Sequence, residues 1–190
     1  IFETNVKAAG GHVHWCRDAG EARATILRIL QQAGAKTIAK GKSMVGEEIE
    51  LNAHLEANGI RPVETDLGEY IIQLRKETPS HIIAPATHVS KAQVADAFRA
   101  AHLALPADRA LGEADTLLAE ARDILREEFL NADAGMTGAN FLIAETGTSV
   151  IVTNEGNGYL SQTVPRTHIV LSGIEKVVPT LDDAAVLLRV

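Results

Sequence analysis

The sequence predicts an α/β protein: an open, mostly parallel sheet flanked by helices, with an antiparallel or hairpin-linked portion in its C-terminal third. Three observations carry that expectation. Between residues 12 and 104, short apolar runs alternate with stretches of helical periodicity, and a parallel crossover needs about a dozen or more residues, which a helix supplies. After Ala132 the apolar runs shorten and are divided by Thr-Gly, Thr-Gly-Thr and Asn-Glu-Gly-Asn-Gly, leaving too little chain between neighbours for crossover helices. With 190 residues, 46% of them hydrophobic, the chain can bury one full core, so residues 1–190 are expected to form a single domain.

Taken in order, "HVHWC" reads as the first strand, with Cys16 a small buried hydrophobe and His12 and His14 on a shared face. From Asp18 to Gly34 the apolar positions Ala22, Ile26, Ile29, Leu30 and Ala33 fall at helical spacing, with Asp18 able to cap the start and Gly34 the end. "KTIAK" is a short apolar piece, and the next helix is expected from Ser43 to Gly59. "IRPVETD" is strand-like, and in "DLGEYIIQLR" Asp66 and Glu69 have the spacing of a capping box. "SHIIAPA" reads as a buried strand. Ser90 with Gln93 opens a helix carrying Val94, Phe98 and Ala101 on one face, and a longer helix holds Leu117, Leu118, Ala121, Ile124, Leu125 and Phe129 as its stripe. The strands after Ala132 are expected to be antiparallel or hairpin-linked; "RTHIVLSGIEKVVPT" adds a final apolar strand, and Thr180 with Asp183 starts a closing helix.

Charge and composition exclude several function classes. A net charge of −7 repels phosphate polyanions, and no basic cluster with interleaved aromatics overrides it, so no nucleic-acid partner is expected. No apolar run approaches the roughly 20 residues of a membrane span, and no charged segment followed by an apolar one opens the chain; a cytoplasmic protein is expected. The single cysteine, Cys16, allows no internal disulfide and cannot supply the four thiolates of an iron–sulfur cluster. The chain opens at Ile1 and closes inside an apolar periodic stretch, which reads as a piece cut from something larger. The histidines outside "HVHWC" (His54, His81, His88, His102 and His168) are scattered without metal-ligand spacing, so no metal site is expected.

Candidate chemistry gathers at the glycine-rich turns. Gly41-Lys42-Ser43 stands between a strand and a helix, but a phosphate loop would need a glycine at Lys36. Ser43 can cap the helix or, with Lys40 and Lys42 beside it, hold a small anion against the helix dipole, which Glu47 and Glu48 would oppose. Glu145 stands in the apolar run "FLIAETGTSVIV", where an anion costs several kcal/mol unless paired or hydrogen-bonded. It is either a perturbed acid–base group or a cap for the amides of its own turn. In "TNEGNG", Glu155 lies between asparagines and glycines that can form an oxyanion-binding nest or a plain loop. With "MTGANF" these make three small-residue turns expected to converge on one rim, where open α/β sheets place their ligands.

The blocks "KGKSMVGEEIELNAHLEANGIRPVETDLGEYIIQL", "PSHIIAPATH", "MTGANFLIAETGTSVIVTNEGNG" and "HIVLSGIEKVVPTLDD" resemble, in order and interval, the LUD domain of the lactate-utilisation proteins. The "TDLGEYIIQL" and "TNEGNG" blocks look like the B branch of that family. The resemblance runs over nearly the entire chain. It implies a NagB/RpiA/CoA-transferase-like fold and a role in oxidising L-lactate to pyruvate, with lactate-utilisation proteins A and C as partners. It also implies two ferredoxin-type 4Fe–4S clusters in a region after the LUD domain, none in this segment, and a domain inactive by itself. Carried over residue by residue, the family's glycine-rich segments and early turn fall on Lys42, Ser43, Thr137, Gly138, Asn140, Thr146, Gly147, Thr148, Asn154, Gly156, Asn157 and Gly158, which are the candidate ligand-binding positions, and on Glu145 and Glu155, the candidate catalytic acids, without the resemblance assigning a catalytic role. The chain departs from the pattern at Tyr159, where a basic residue is expected, leaving Lys42, Arg166 and Lys176 as cations for a carboxylate such as lactate or pyruvate. The expectation is a small-anion pocket rimmed by Glu145 and the turn around Glu155. The alternatives are an autonomous isomerase or acyl-CoA transferase using Glu145 as base or nucleophile, or a scaffold without chemistry.

Overall fold

The computed structural model describes residues 1–79 and 84–189. Its main sheet holds four parallel strands, β1 (Thr37–Lys40), β2 (Arg61–Glu64), β3 (Ala134–Thr137) and β6 (Thr167–Val170), in the order β2-β1-β3-β6. Lys40 pairs with Glu64 and with Met136, and Thr137 with Val170, so all four strands end on one edge. Beyond the sheet's reach, β4 (Phe141–Ile143) and β5 (Thr148–Val150) form an antiparallel hairpin, and the two-residue β7 (Val177–Val178) runs parallel to β4.

Helices cover both faces of the main sheet, as side-chain alternation along buried parallel strands demands. Ala39 and Val63 face α5 (Leu67–Arg75), α6 (Lys91–Ala101) and α7 (Ala114–Asn131), where Phe98, Leu117, Ala121, Leu125 and Phe129 close one core. Ile38, Ala134 and Met136 face the other way, onto α2 (Ala19–Gln32) and α4 (Leu51–Ala57), with Ile26, Leu30, Leu51 and Leu55. A third, small cluster of Ile143, Val178 and Ala184 joins the second sheet to α9 (Leu181–Leu187). In the first core, Tyr70 Oη lies 2.8 Å from His102 Nε2, His102 Nδ1 lies 2.7 Å from Glu120, and Arg109 donates to both Glu120 oxygens, tying α5, α6 and α7 together.

Several expectations hold and several are corrected. Asp18 caps α2, while the reciprocal boxes Ser90–Gln93 and Thr180–Asp183 open α6 and α9. "HVHWC" is not a strand: it has no pairing partner, Cys16 is exposed, and the indole of Trp15 donates to Glu3 in α1 (Phe2–Ala8). The helix expected from Ser43 to Gly59 is two, α3 (Met44–Glu48) and α4, divided by Glu50 at φ 52°. Ile49 and Leu51 are both buried in the same core, and two residues apart on one helix they would point to opposite sides. The expected strand "SHIIAPA" begins at Ser80–Ile83, outside the described residues, and Ala84–Thr87 forms a turn. After Ala132 the hairpin is found, but β3 and β6 are parallel members of the main sheet. The stretch from 138 to 166, with the hairpin and α8 (Asn157–Thr163), supplies the crossover that adjacent runs lack. The final strand is likewise split, β6 and β7 belonging to different sheets on either side of a 3-10 turn at Ile174–Lys176.

Candidate functional site

The strand order fixes where a ligand site belongs. From β1 the chain passes outward to β2, and from β3 it passes the other way to β6. Connections that diverge from adjacent strands open a crevice at their carboxyl ends, the switch point where open α/β sheets bind ligands. Here that switch point lies between the turn after Lys40 and the turn after Thr137.

Short contacts hold these turns together. The Gly41 amide donates to the Met136 carbonyl at 2.8 Å, and Leu171 donates to the Thr137 carbonyl at 2.9 Å. A Cβ on Gly41 would lie 3.7 Å from the Cα of Gly158, and one on Gly138 would lie 3.7 Å from the Lys42 carbonyl and 3.9 Å from Ser43 Oγ. The start of α8 therefore overlies the β1–α3 turn. On the other flank, Thr65 donates to the Lys40 carbonyl through both its amide (2.9 Å) and its hydroxyl (2.8 Å), drawing in the β2–α5 turn.

Beneath this rim lies a buried ion pair. Lys40, 1% exposed, donates to Glu64 at 2.5 Å and to Asn52 Oδ1 at 2.6 Å, while the Asn52 amide donates to Glu64 at 2.7 Å. The ammonium and the carboxylate are each matched by a partner and a hydrogen bond, which offsets their desolvation.

On the rim itself, Lys42 and Glu69 form an uneven pair. The Lys42 side chain is 40% exposed, that of Glu69 is 4% exposed, and Nζ stands 3.9 Å from Oε1. Among the described residues, Oε1 is buried without a hydrogen-bond partner. Burial, followed by the charges of Glu47 and Glu64, pushes the Glu69 carboxyl up to about 7; Lys42 opposes the shift and Asp66 adds to it. Glu155 is also raised, first by its packing and then by Asp66, with Lys42 again opposing. Lys42 therefore acts on acids from two turns, and Glu69 is a carboxyl that exchanges its proton near neutrality.

The remaining sequence-predicted residues divide into two groups. Ser43, buried, accepts from the Gly46 amide and caps α3. The Thr137 hydroxyl is 2.9 Å from Nε2 of His168, whose imidazole burial holds below its ordinary value. Asn140 accepts from the Val152 amide, and Asn157 Oδ1 from the Gly158 amide, while Gly156 begins α8 at φ 79° and Asn154 is exposed. Lys42, Ser43, Thr137, Gly138, Glu155 and Gly158 thus meet at the carboxyl edge.

Glu145, Thr146 and Gly147 lie in the β4–β5 turn instead, and Thr148 opens β5. There Glu145 is exposed, its carboxylate accepts from the Leu181 amide at 3.2 Å, and its carbonyl accepts from the Asn5 side chain at 2.8 Å. A cavity of about 660 Å³ beside it is walled by Ile1, Ala144, Val177, Pro179 and Thr180. Two of the three turns converge; the third is carried off with the second sheet.

The sequence offers Lys40 as an anion-holding neighbour of Ser43, which its burial against Glu64 and Asn52 excludes, and Glu69 only as a capping residue. Asp66 accepts from the amides of Gly68 and Glu69 at 3.1 and 3.2 Å, but the Glu69 side chain does not return to complete a box. The signal that could have found it is its neighbourhood: an acid followed directly by Tyr70, Ile71 and Ile72, all buried. Among the described residues no group of three or more His, Cys, Asp or Glu is arranged to hold a metal ion. The lone, exposed Cys16 does not fit a 4Fe–4S cluster, which takes four thiolates. Among the described residues, no helix is long and apolar enough to cross a membrane.

Fold and rim together define an open α/β protein whose titratable groups gather at the switch point of a parallel sheet. The chain belongs to the LUD domain family, which matches it over residues 1–190. Over 188 residues it is 46% identical to lactate utilization protein B of Bacillus subtilis (strain 168), covering 96% of this chain and 38% of that protein. Its identity to the lactate utilization protein B of Geobacillus sp. (strain WCH70) is 47% over 189 residues, with the same coverage. To that of Macrococcus caseolyticus (strain JCSC5402) it is 45% over 188 residues, covering 98% of this chain and 39% of the relative. The chain thus spans about 38% of the length of the first two relatives. No solved structure matches it.

Proposed function

We propose that this LUD domain serves cytoplasmic L-lactate oxidation to pyruvate, within a three-component assembly completed by lactate-utilisation proteins A and C. Its share is to receive the small carboxylate at the carboxyl-edge rim. The names of its relatives support the pathway. The observation that supports the site is Lys42, an ammonium 40% exposed at the switch point and 3.9 Å from a carboxyl that is only partly ionised at neutral pH. A lactate or pyruvate carboxylate can pair with that ammonium, a charge-assisted contact worth about 1.5–3 kcal/mol. Glu145, engaged with Leu181, keeps the hairpin against α9 in this reading.

The test is lactate oxidation by the full-length protein reconstituted with its two partners. Lys42→Ala is expected to lower kcat/KM by about 10- to 100-fold, chiefly through KM, and Glu145→Ala to leave it within about twofold. A normal KM in Lys42→Ala together with a loss in Glu145→Ala would move the site to the hairpin.

A further inference from the structure

We propose that Glu69 is the proton-carrying group of the carboxyl-edge site, so that a small carboxylate settling on Lys42 is bound together with one proton, which Glu69 takes up. This rests on Lys42 being the carboxylate's anchor, and it adds a residue and a linked proton to that site.

The geometry is that of a buried acid held in reserve. Glu69 stands in the first turn of α5, which Asp66 anchors by accepting two of its amides. Its side chain is 4% exposed and, among the described residues, Oε1 accepts no hydrogen bond. A carboxylate oxygen in that position is costly as an anion unless a charge compensates it. The charged groups facing it are Lys42 from the β1–α3 turn, Glu47 from α3, Glu64 from the end of β2 with its partner Lys40, and Asp66 from its own helix. Glu155, from the turn before α8, acts on Lys42 and Asp66. Of these, Lys42 is the group that lowers the Glu69 pKa, and its ammonium is the one exposed to an incoming ligand.

The proton follows from these positions. When a ligand carboxylate pairs with Lys42, the attraction that favoured the Glu69 anion is shared, and a further negative charge arrives beside it. Glu69 then binds a proton from solvent; no covalent bond between heavy atoms changes and no electron moves. The protonated carboxyl gains an O–H donor that a ligand oxygen can accept. The sign is fixed. Below the Glu69 pKa of about 7 the free site already carries the proton and affinity is level with pH; above it, each bound carboxylate takes one up and Kd rises toward tenfold per pH unit.

The experiment is calorimetric titration of pyruvate into the chain at pH 8 in Tris and in HEPES, whose ionisation enthalpies differ, repeated from pH 6 to 8.5. The expected result is an uptake approaching one proton per pyruvate at pH 8 and a Kd that rises more than fivefold from pH 6.5 to 8.5. Glu69→Gln is expected to bind with near-zero uptake and a flat Kd. Independently of any variant, a 13C-carboxyl NMR titration of the parent chain should show a Glu midpoint near 7 that moves upward in pyruvate. Pyruvate binding without proton uptake and without that movement would overturn the role of Glu69 and leave Lys42 standing, as would undiminished uptake in Glu69→Gln. Absence of binding at every pH, or binding indifferent to Lys42→Ala, would overturn the anchor and the proton together.

Discussion

Glu69 and Lys40 illustrate two ways of keeping a charged side chain inside a protein. Lys40 is fully enclosed, yet Glu64 and Asn52 meet its ammonium at 2.5 and 2.6 Å, and the cluster is complete. Glu69 has no such set, and its carboxyl rises from 4.5 to about 7. A raised acid pKa means that between those two values the folded chain holds a proton the unfolded chain has released. Stability is therefore present in full below about 4.5 and is lost progressively as pH rises through about 7. The span corresponds to about 3 kcal/mol, at 1.36 kcal/mol per unit. Glu69→Gln, which cannot ionise, is expected to match the parent chain in urea unfolding near pH 5 and to exceed it at pH 8. A difference that does not change with pH would show that Glu69 is not the buried acid described.

At the scale of elements, α8 is held by a missing side chain. A Cβ on Gly135, in the middle of β3, would stand 1.7 Å from the Ser161 carbonyl, so helix and strand touch backbone to backbone. Gly135→Ala must push α8 away, at a cost of at least about 1–3 kcal/mol, and Gly158 moves with it. Thermal unfolding should fall and pyruvate affinity should weaken together; an unchanged melting temperature would contradict the close approach.

What was legible in the sequence follows the same division between local and long-range causes. Caps at Asp18, Ser90 and Thr180 are settled within four residues, and they read correctly. The turns after Lys40 and Thr137 and before α8 are likewise local glycine chemistry. The parallel placement of β3 and β6 depends on pairing across the chain, which periodicity does not carry. For the same reason Glu145 looked enclosed in its apolar run, whereas the hairpin that holds it turns it outward against α9. Glu69 was hidden for a different reason: its spacing from Asp66 matches a capping box, and only the packing of α5 against the sheet shows that its side chain never closes that box.

Across the whole molecule, one topological fact organises the chemistry. Connections leaving β1 and β3 in opposite directions mark the switch point, and the turns bordering it bring Lys42, Glu69 and Glu155 into one electrostatic group. The second sheet, with α1, α9 and the Glu145 turn, is a separate cluster attached through the same stretch of chain. A domain of the LUD family built this way has two places for a small carboxylate, and the exposed ammonium of Lys42 favours the first. The most direct test of that assignment is amide shift mapping of the 15N-labelled chain during a pyruvate titration. Saturable shifts are expected at residues 41–43, 66–69, 137–140 and 155–158, with 144–148 and 180–182 unmoved. Shifts confined to the hairpin and the start of α9, with the carboxyl edge silent, would contradict it.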